Sequence, residues 1–122
     1  VQEQPAAQVE AKEYKAAELR NVADEWWGRE MARLNRAKDE AETRRYYLRQ
    51  AFNQLTEKRR SSADDAEKFR LSKEIDTAVA KINAEETNLV LLEKAMDSLK
   101  TAARDLGKED KLGLLIEKQD EQ

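Results

Sequence analysis

The chain has 122 residues, 23 of them basic and 26 acidic for a net charge of −3, with three Gly, one Pro and neither Cys nor His. One domain is the natural expectation at this length, and the missing residue types remove disulfides, thiolate or imidazole metal sites, and Cys-His or Ser-His nucleophile pairs. Collagen-like and Gly/Ser-linker compositions are excluded too, and no apolar run approaches the roughly 18–20 residues of a membrane span.

Scarce Gly and Pro with abundant Ala, Glu, Lys, Arg and Leu favour long helices, and no stretch shows the alternation of a half-buried strand. Val1 to Gln8 is polar, holds the single Pro and is expected to fray. A helical pattern then runs from about residue 6 to 60. Ser61-Ser62-Ala63-Asp64-Asp65 is the clearest break, with a turn expected at about 61–63 and Ser62 (or Ser61) as N-cap of the next helix. Asp64, Asp65 and Glu67 would meet that helix's positive end, while Lys58, Arg59 and Arg60 close the preceding one at its negative end. The second helix is expected over about 63–106, stopped at Leu106-Gly107 with Gly at C′. Residues 108–122 carry a small apolar knot of Leu112, Leu114, Leu115 and Ile116, either a further short helix or a continuation of the second.

The second helix carries the strongest pattern in the chain. Leu71, Ile75, Ala78, Ile82, Glu85, Leu89, Leu92, Met96, Leu99, Ala103 and Leu106 step by 4, 3, 4, 3 throughout, with ten of the eleven apolar, which is a coiled-coil seam. A weaker row on the first helix comprises Trp27, Met31, Leu34, Lys38, Ala41, Arg45, Leu48, Phe52, Leu55 and Arg59. Upstream, Leu19, Val22 and Trp26 are out of phase by one position, as a winding slip near Trp26-Trp27-Gly28 would produce. Two long helices joined by about three residues must run antiparallel. Positions whose numbers sum to about 126–127 then become neighbours, for example Leu55 and Leu71, Leu34 and Leu92, or Trp27 and Leu99. The paired part, about 45 residues, would be roughly 65 Å long. Glu85, the acidic seam residue, falls opposite Ala41 and is expected to pair with Lys38, Arg45 or both, fixing the register.

A two-helix hairpin leaves most of each helix wet. A second row on the second helix, Ala80, Ala84, Thr87, Leu91, Ala95, Ser98 and Ala102, is mostly small, and Val90 and Leu91 lie outside the seam. This face reads either as ordinary solvated helix or as a patch covered by a second copy, another protein, or the N-terminal helix or C-terminal tail folded back.

No constellation points to catalysis. A four-helix di-metal site needs Glu-x-x-His pairs. Ser61 to Asp65 lacks the central Gly and later Glu of a calcium loop, and Gly28, Gly107 and Gly113 are isolated rather than part of a phosphate loop. Carboxylate groups such as Asp39/Glu40/Glu42 have no pocket in a narrow coiled coil. The expectation is no enzyme, no cofactor and no metal.

Charge is uneven. Residues 1–28 hold 3 basic and 6 acidic side chains, residues 29–60 hold 10 and 5, and residues 61–122 hold 10 and 15. A basic helix beside an acidic one supports an intramolecular hairpin. The competing reading is a basic strip of Arg44, Arg45, Arg49, Lys58, Arg59 and Arg60, interleaved with Tyr46 and Tyr47, that meets nucleic acid or anionic lipid; the net negative charge and nearby Asp64 and Asp65 disfavour it. Among the aromatics, Trp27 and Phe52 fit the seam, whereas Trp26, Tyr46 and Tyr47 point elsewhere, as interface anchors or as cover along the flank.

The fold expectation is all-α: a single domain built as an elongated antiparallel helical hairpin, a coiled coil open to completion as a three- or four-helix bundle by the tail or by self-association. The functional expectation is a structural or adaptor module that contacts another protein, itself included as an oligomer, through Trp26, Tyr46, Tyr47, Val90 and Leu91. The alternative is a spacer binding an anionic surface through Arg44, Arg45 and Arg49. With Val1 in place of Met and no signal-type stretch, the chain reads as the mature part of an exported protein or as a segment of a longer one.

Overall fold

The computed structural model describes residues 12–113, and among them there is no strand. Two long helices, α1 (Asp24–Ser61) and α2 (Asp65–Asp105), pack antiparallel as a hairpin; short 3-10 turns stand at Ala16–Glu18 and Glu109–Lys111. The described chain divides into two compact units, one comprising the residues up to Glu40 and from Val90 onward, the other running from Ala41 to Leu89.

In the Ala41–Leu89 unit, the turn occupies residues 62–64. Its N-cap is Asp64 rather than Ser62: Asp64 Oδ1 accepts the Ala66 N–H at 3.1 Å, and the Asp64 carbonyl accepts the Lys68 N–H at 3.0 Å. Ser62 serves one step earlier. Its Oγ accepts the Asp64 N–H at 3.2 Å and donates to Glu67 Oε1 at 2.7 Å, so a hydroxyl and a first-turn carboxylate brace the turn from both sides. Asp65 and Glu67 stand in the first turn of α2, and Lys58, Arg59 and Arg60 in the last turn of α1, each at the helix pole that favours its charge. The seam here is only partly covered. Leu71, Ala78 and Leu89 are buried, but Leu48, Phe52, Leu55, Ile75 and Ile82 stay half-buried.

The other unit has a denser core. Trp27, Leu34, Leu92, Leu99 and Ala103 are essentially inaccessible, and Met31 and Met96 are buried beside them in the same heptad rows. Off those rows, Ala32, Ala37, Ala95 and Ala102 are buried as well, so more than one stripe of each helix is covered. Residues 12–23 contribute to that cover near Ser98 and Ala95, where Tyr14 bonds Ser98 and Lys12 and Glu13 approach Ala95. Residues 12–23 do not form the first turns of a long helix, as the expected span of about 6–60 required; α1 begins only at Asp24, and residues 6–11 of that span lie outside the described residues. The phase shift at Leu19, Val22 and Trp26 therefore marks a chain leaving the helix rather than a winding slip within it.

The end of α2 follows from one glycine. Gly107 has φ +70, and the Lys108 N–H reaches back to the Ala103 carbonyl at 2.7 Å while the Gly107 N–H bonds the Arg104 carbonyl at 3.2 Å. This is a Schellman closure. Lys108 and Lys111 then meet Asp24 in the first turn of α1, at 2.7 and 3.7 Å. Leu112 is half-buried, while Leu114, Leu115 and Ile116 lie outside the described residues.

Three substitutions test this account by urea unfolding. Leu99→Ala is expected to lower the unfolding free energy by about 2–5 kcal/mol, and Leu48→Ala by about half as much because its side chain is already partly wet. Gly107→Ala should cost about 1 kcal/mol through backbone strain alone, since no atom stands within 4 Å of the added Cβ. Equal losses at Leu99 and Leu48 would contradict the difference in core density.

Candidate functional site

The described residues hold no grouping of three or more acidic side chains able to grip a metal, and no helix long and apolar enough to cross a membrane. What the fold positions instead is a set of ion pairs, a group of exposed apolar side chains and one buried polar anchor.

Lys38, Arg44 and Arg49 of α1 engage α2. Arg44 grips Glu85 with two prongs, Nε to Oε2 at 2.7 Å and Nη2 to Oε1 at 3.1 Å. Arg49 meets Glu86 at 2.5 Å. In the other unit, Lys38 lies 3.7 Å from Glu93. The register-fixing partner of Glu85 is thus Arg44, not Lys38 or Arg45. Arg45 occupies a seam position, where its stem is half-buried. Arg44, one position off the seam, projects along the flank, where a planar guanidinium can meet a carboxylate side-on.

The other expected contact residues divide by exposure. Tyr46 and Tyr47 are 57% and 62% exposed, their rings edge-to-face at a centroid separation of 5.2 Å, and the Tyr46 hydroxyl accepts from Gln50 Nε2. Val90 and Leu91 are 51% and 46% exposed between buried Leu89 and Leu92. Phe69 and Val79 are also exposed; neither was expected, because as isolated apolar residues outside the heptad rows they form no pattern. Trp26 is half-buried, with its ring edge-on to Tyr14 and to Trp27 at 6.1 and 5.3 Å.

Tyr14 is the anchor that sequence reasoning missed. Its backbone N–H donates to Ser98 Oγ at 2.7 Å, and its hydroxyl donates to Glu30 Oε2. Glu30 is held in turn by Arg33, whose Nε and Nη2 donate at 3.0 and 2.5 Å. Burial, reinforced by Glu30, pushes the Tyr14 phenol well above its ordinary value of 10.0. Burial would also push the Glu30 carboxyl up, but hydrogen bonds from Arg33 and Tyr14 outweigh it and hold the group below its ordinary 4.5. The available signals were that Tyr14 is the sole aromatic before Trp26 and that Glu30 and Arg33 stand three apart on one helix face. Ser98 and Ala95 of the small-residue row lie against this N-terminal segment, which is not the N-terminal helix that the sequence allowed as an occupant. An open depression remains where Lys12 and Glu13 approach Leu91, Lys94, Ala95 and Ser98. A second, shallower one lies at the turn, lined by Gln54, Glu57, Lys58, Ser61, Ser62 and Glu67.

Comparison of the chain with family models, with curated proteins and with solved structures gives no match.

The Tyr14–Glu30 contact carries a pH dependence. The neutral phenol is favoured in the folded state, so its contribution is complete below pH 10.0 and fades as pH rises towards its raised value. The Glu30 carboxylate is favoured in the folded state, so its contribution is complete above 4.5 and fades as pH falls towards its lowered value. Acrylamide quenching of the two tryptophans should therefore be flat across the neutral range and increase at both extremes, and Tyr14→Phe should abolish the alkaline limb. An alkaline limb unchanged in that variant would sink the assignment.

Proposed function

We propose that this chain is a non-enzymatic structural or adaptor module that engages another protein, a second copy of itself included, through the outer surface of its helical hairpin. The observation that carries the reading is the exposure of Val90 and Leu91 on a helix whose flanking Leu89 and Leu92 are buried. An apolar pair held on a rigid, well-ordered helix presents surface to a partner at little cost in ordering entropy, and exposed aromatic side chains such as Tyr46 and Tyr47 are favoured interface anchors. The depressions being open, a substrate would find no water-excluded chamber in either.

The alternative, adhesion to nucleic acid or anionic lipid through the basic segment, is weakened by the engagement of Arg44 with Glu85 and of Arg49 with Glu86. A phosphate would have to compete with carboxylates already in place, and the site's field is largely neutralised.

Sedimentation and salt titration separate the two readings. Leu91→Asp should lower the self-association constant by about tenfold or more, since a charge enters a surface that must desolvate. Binding should change little between about 50 and 200 mM salt, whereas phosphate binding would weaken steeply. A monomeric mass at every concentration, together with salt-sensitive binding that is lost on neutralising Arg44, Arg45 and Arg49, would replace the first reading with the second.

A further inference from the structure

Residues 12–23 lie against the hairpin, yet only one of their side chains is buried. Lys12, Glu13, Lys15, Ala17, Glu18, Arg20, Asn21 and Ala23 are exposed, and Ala16, Leu19 and Val22 are half-buried; Tyr14 alone is fully covered. The polar anchoring is equally concentrated. The Tyr14 N–H bonds Ser98 on α2 and the Tyr14 hydroxyl bonds Glu30 on α1, while the remaining backbone bonds in the segment, Glu18 to Lys15, Leu19 to Ala16 and Val22 to Leu19, are local. A fraying terminus has no acceptor prepared for it. Here Glu30 is held by two prongs from Arg33 beside its bond from Tyr14, and the Glu30 side chain is 11% exposed.

We infer that residues 12–23 form a strap with Tyr14 as its single latch, and that the strap opens as a local unit, baring Trp26, Ala95 and Ser98 while α1 and α2 stay paired. Three features lead to that behaviour. First, the strap's attachment is one aromatic side chain, whereas the helices beneath it bury Trp27, Met31, Leu34, Leu92, Met96 and Leu99 against each other. Opening the strap therefore sacrifices a small part of the apolar burial that separating the helices would, so the two events belong to different levels of the stability ladder. Second, removal of the latch leaves no orphaned charge. Glu30 keeps Arg33, so the open state avoids the penalty that usually makes breaking a buried polar contact prohibitive. Third, the surface under the strap is built from small side chains on α2 beside the Trp26 ring, a trough into which another chain segment can approach closely. The open depression at Lys12, Glu13 and Leu91 already marks the strap's edge. Where the adaptor reading holds, strap and partner compete for adjoining surface. The opening itself does not depend on that reading.

Hydrogen exchange with mass spectrometry on the full chain tests the strap directly, without any partner. The amides of Tyr14, Glu18, Leu19 and Val22 should exchange by an opening that is insensitive to low urea, while those of residues 92–103 exchange only with the strong urea dependence of global unfolding. Tyr14→Ala should bring the strap amides close to unprotected rates and increase acrylamide quenching of the tryptophans, with protection over 92–103 and helical ellipticity retained. Tyr14→Phe keeps the ring and loses the phenol bond, so its strap exchange should rise by about tenfold, between the other two. The inference is overturned if protection over 92–103 is lost together with that of the strap, or if Tyr14→Ala leaves strap exchange and quenching unchanged. Both results can be read whatever the sedimentation mass of Leu91→Asp turns out to be, so failure of the strap and failure of the adaptor reading remain distinct.

Discussion

Two helices in contact can each bury one stripe, and nothing in a bare hairpin covers the rest. That limit accounts for the contrast between the two units. From Ala41 to Leu89, a correct heptad pattern leaves Leu48, Phe52, Leu55, Ile75 and Ile82 half-buried, and among the described residues no third element lies over the groove between the helices. In the unit that includes residues 12–23, the same pattern yields zero exposure at Trp27, Leu34, Leu92 and Leu99, and Ala95 and Ala102, off the seam, become buried too. A strap of twelve residues, half of them charged or amide side chains, adds the buried Tyr14 to the local core along its line of contact with α2 at Ser98. Small residues at that line are therefore a packing requirement: a larger side chain at Ser98 would displace the backbone of Tyr14, whose N–H sits 2.7 Å from its Oγ.

Electrostatics supplies direction more than stability. The helix-end charges and the Arg44–Glu85 and Arg49–Glu86 pairs are at least partly solvated, so each stabilises by at most about 1 kcal/mol. Their value lies in discrimination. The apolar seam repeats every seven residues, so sliding one helix by a heptad would preserve much of its burial. A two-pronged grip between Arg44 and Glu85 cannot survive such a slide, and the basic residues of α1 would then face the wrong carboxylates. The turn reinforces this choice: with Ser62, Asp64 and Glu67 all engaged over three non-helical residues, little slack remains to absorb a shift.

The heptads, the break near residue 62, the antiparallel pairing and the glycine stop at 107 were legible because each is written in a local or strictly periodic code. Every member of the α2 seam, from Leu71 to Leu106, is buried or half-buried. What could not be read were choices between neighbours and long-range contacts. Asp64 and Ser62 are equally good caps on propensity, and the selection depends on which hydroxyl or carboxylate ends up beside the first free N–H. Arg44 and Arg45 differ by one position, but that position decides whether the stem enters the seam or runs along the flank. Residues 12–23 have the composition of a helix and lack its structure. Tyr14 gains more from a buried site between Glu30 and Ser98 than a helical turn would give it, an instance of tertiary contact overriding propensity. No local signal encodes a bond spanning 84 residues.

The same geometry constrains what the chain can do. Residues 12–23 lie against Ser98 and approach Ala95, while Leu91 remains exposed across an open depression from Lys12 and Glu13 with Val90 beside it. Had the strap been selected only to complete a core, the apolar pair nearest to it would be the first surface to cover. A strap that meets α2 at Ala95 and Ser98 and leaves an open depression beside Leu91 is what the proposed adaptor reading requires, since the larger apolar side chains next to it stay exposed for first contact. Recognition would then begin at Leu91 and extend into the trough only as Tyr14 leaves it. Under that proposal, the affinity of a partner would be tied to the free energy of one phenol in one buried site.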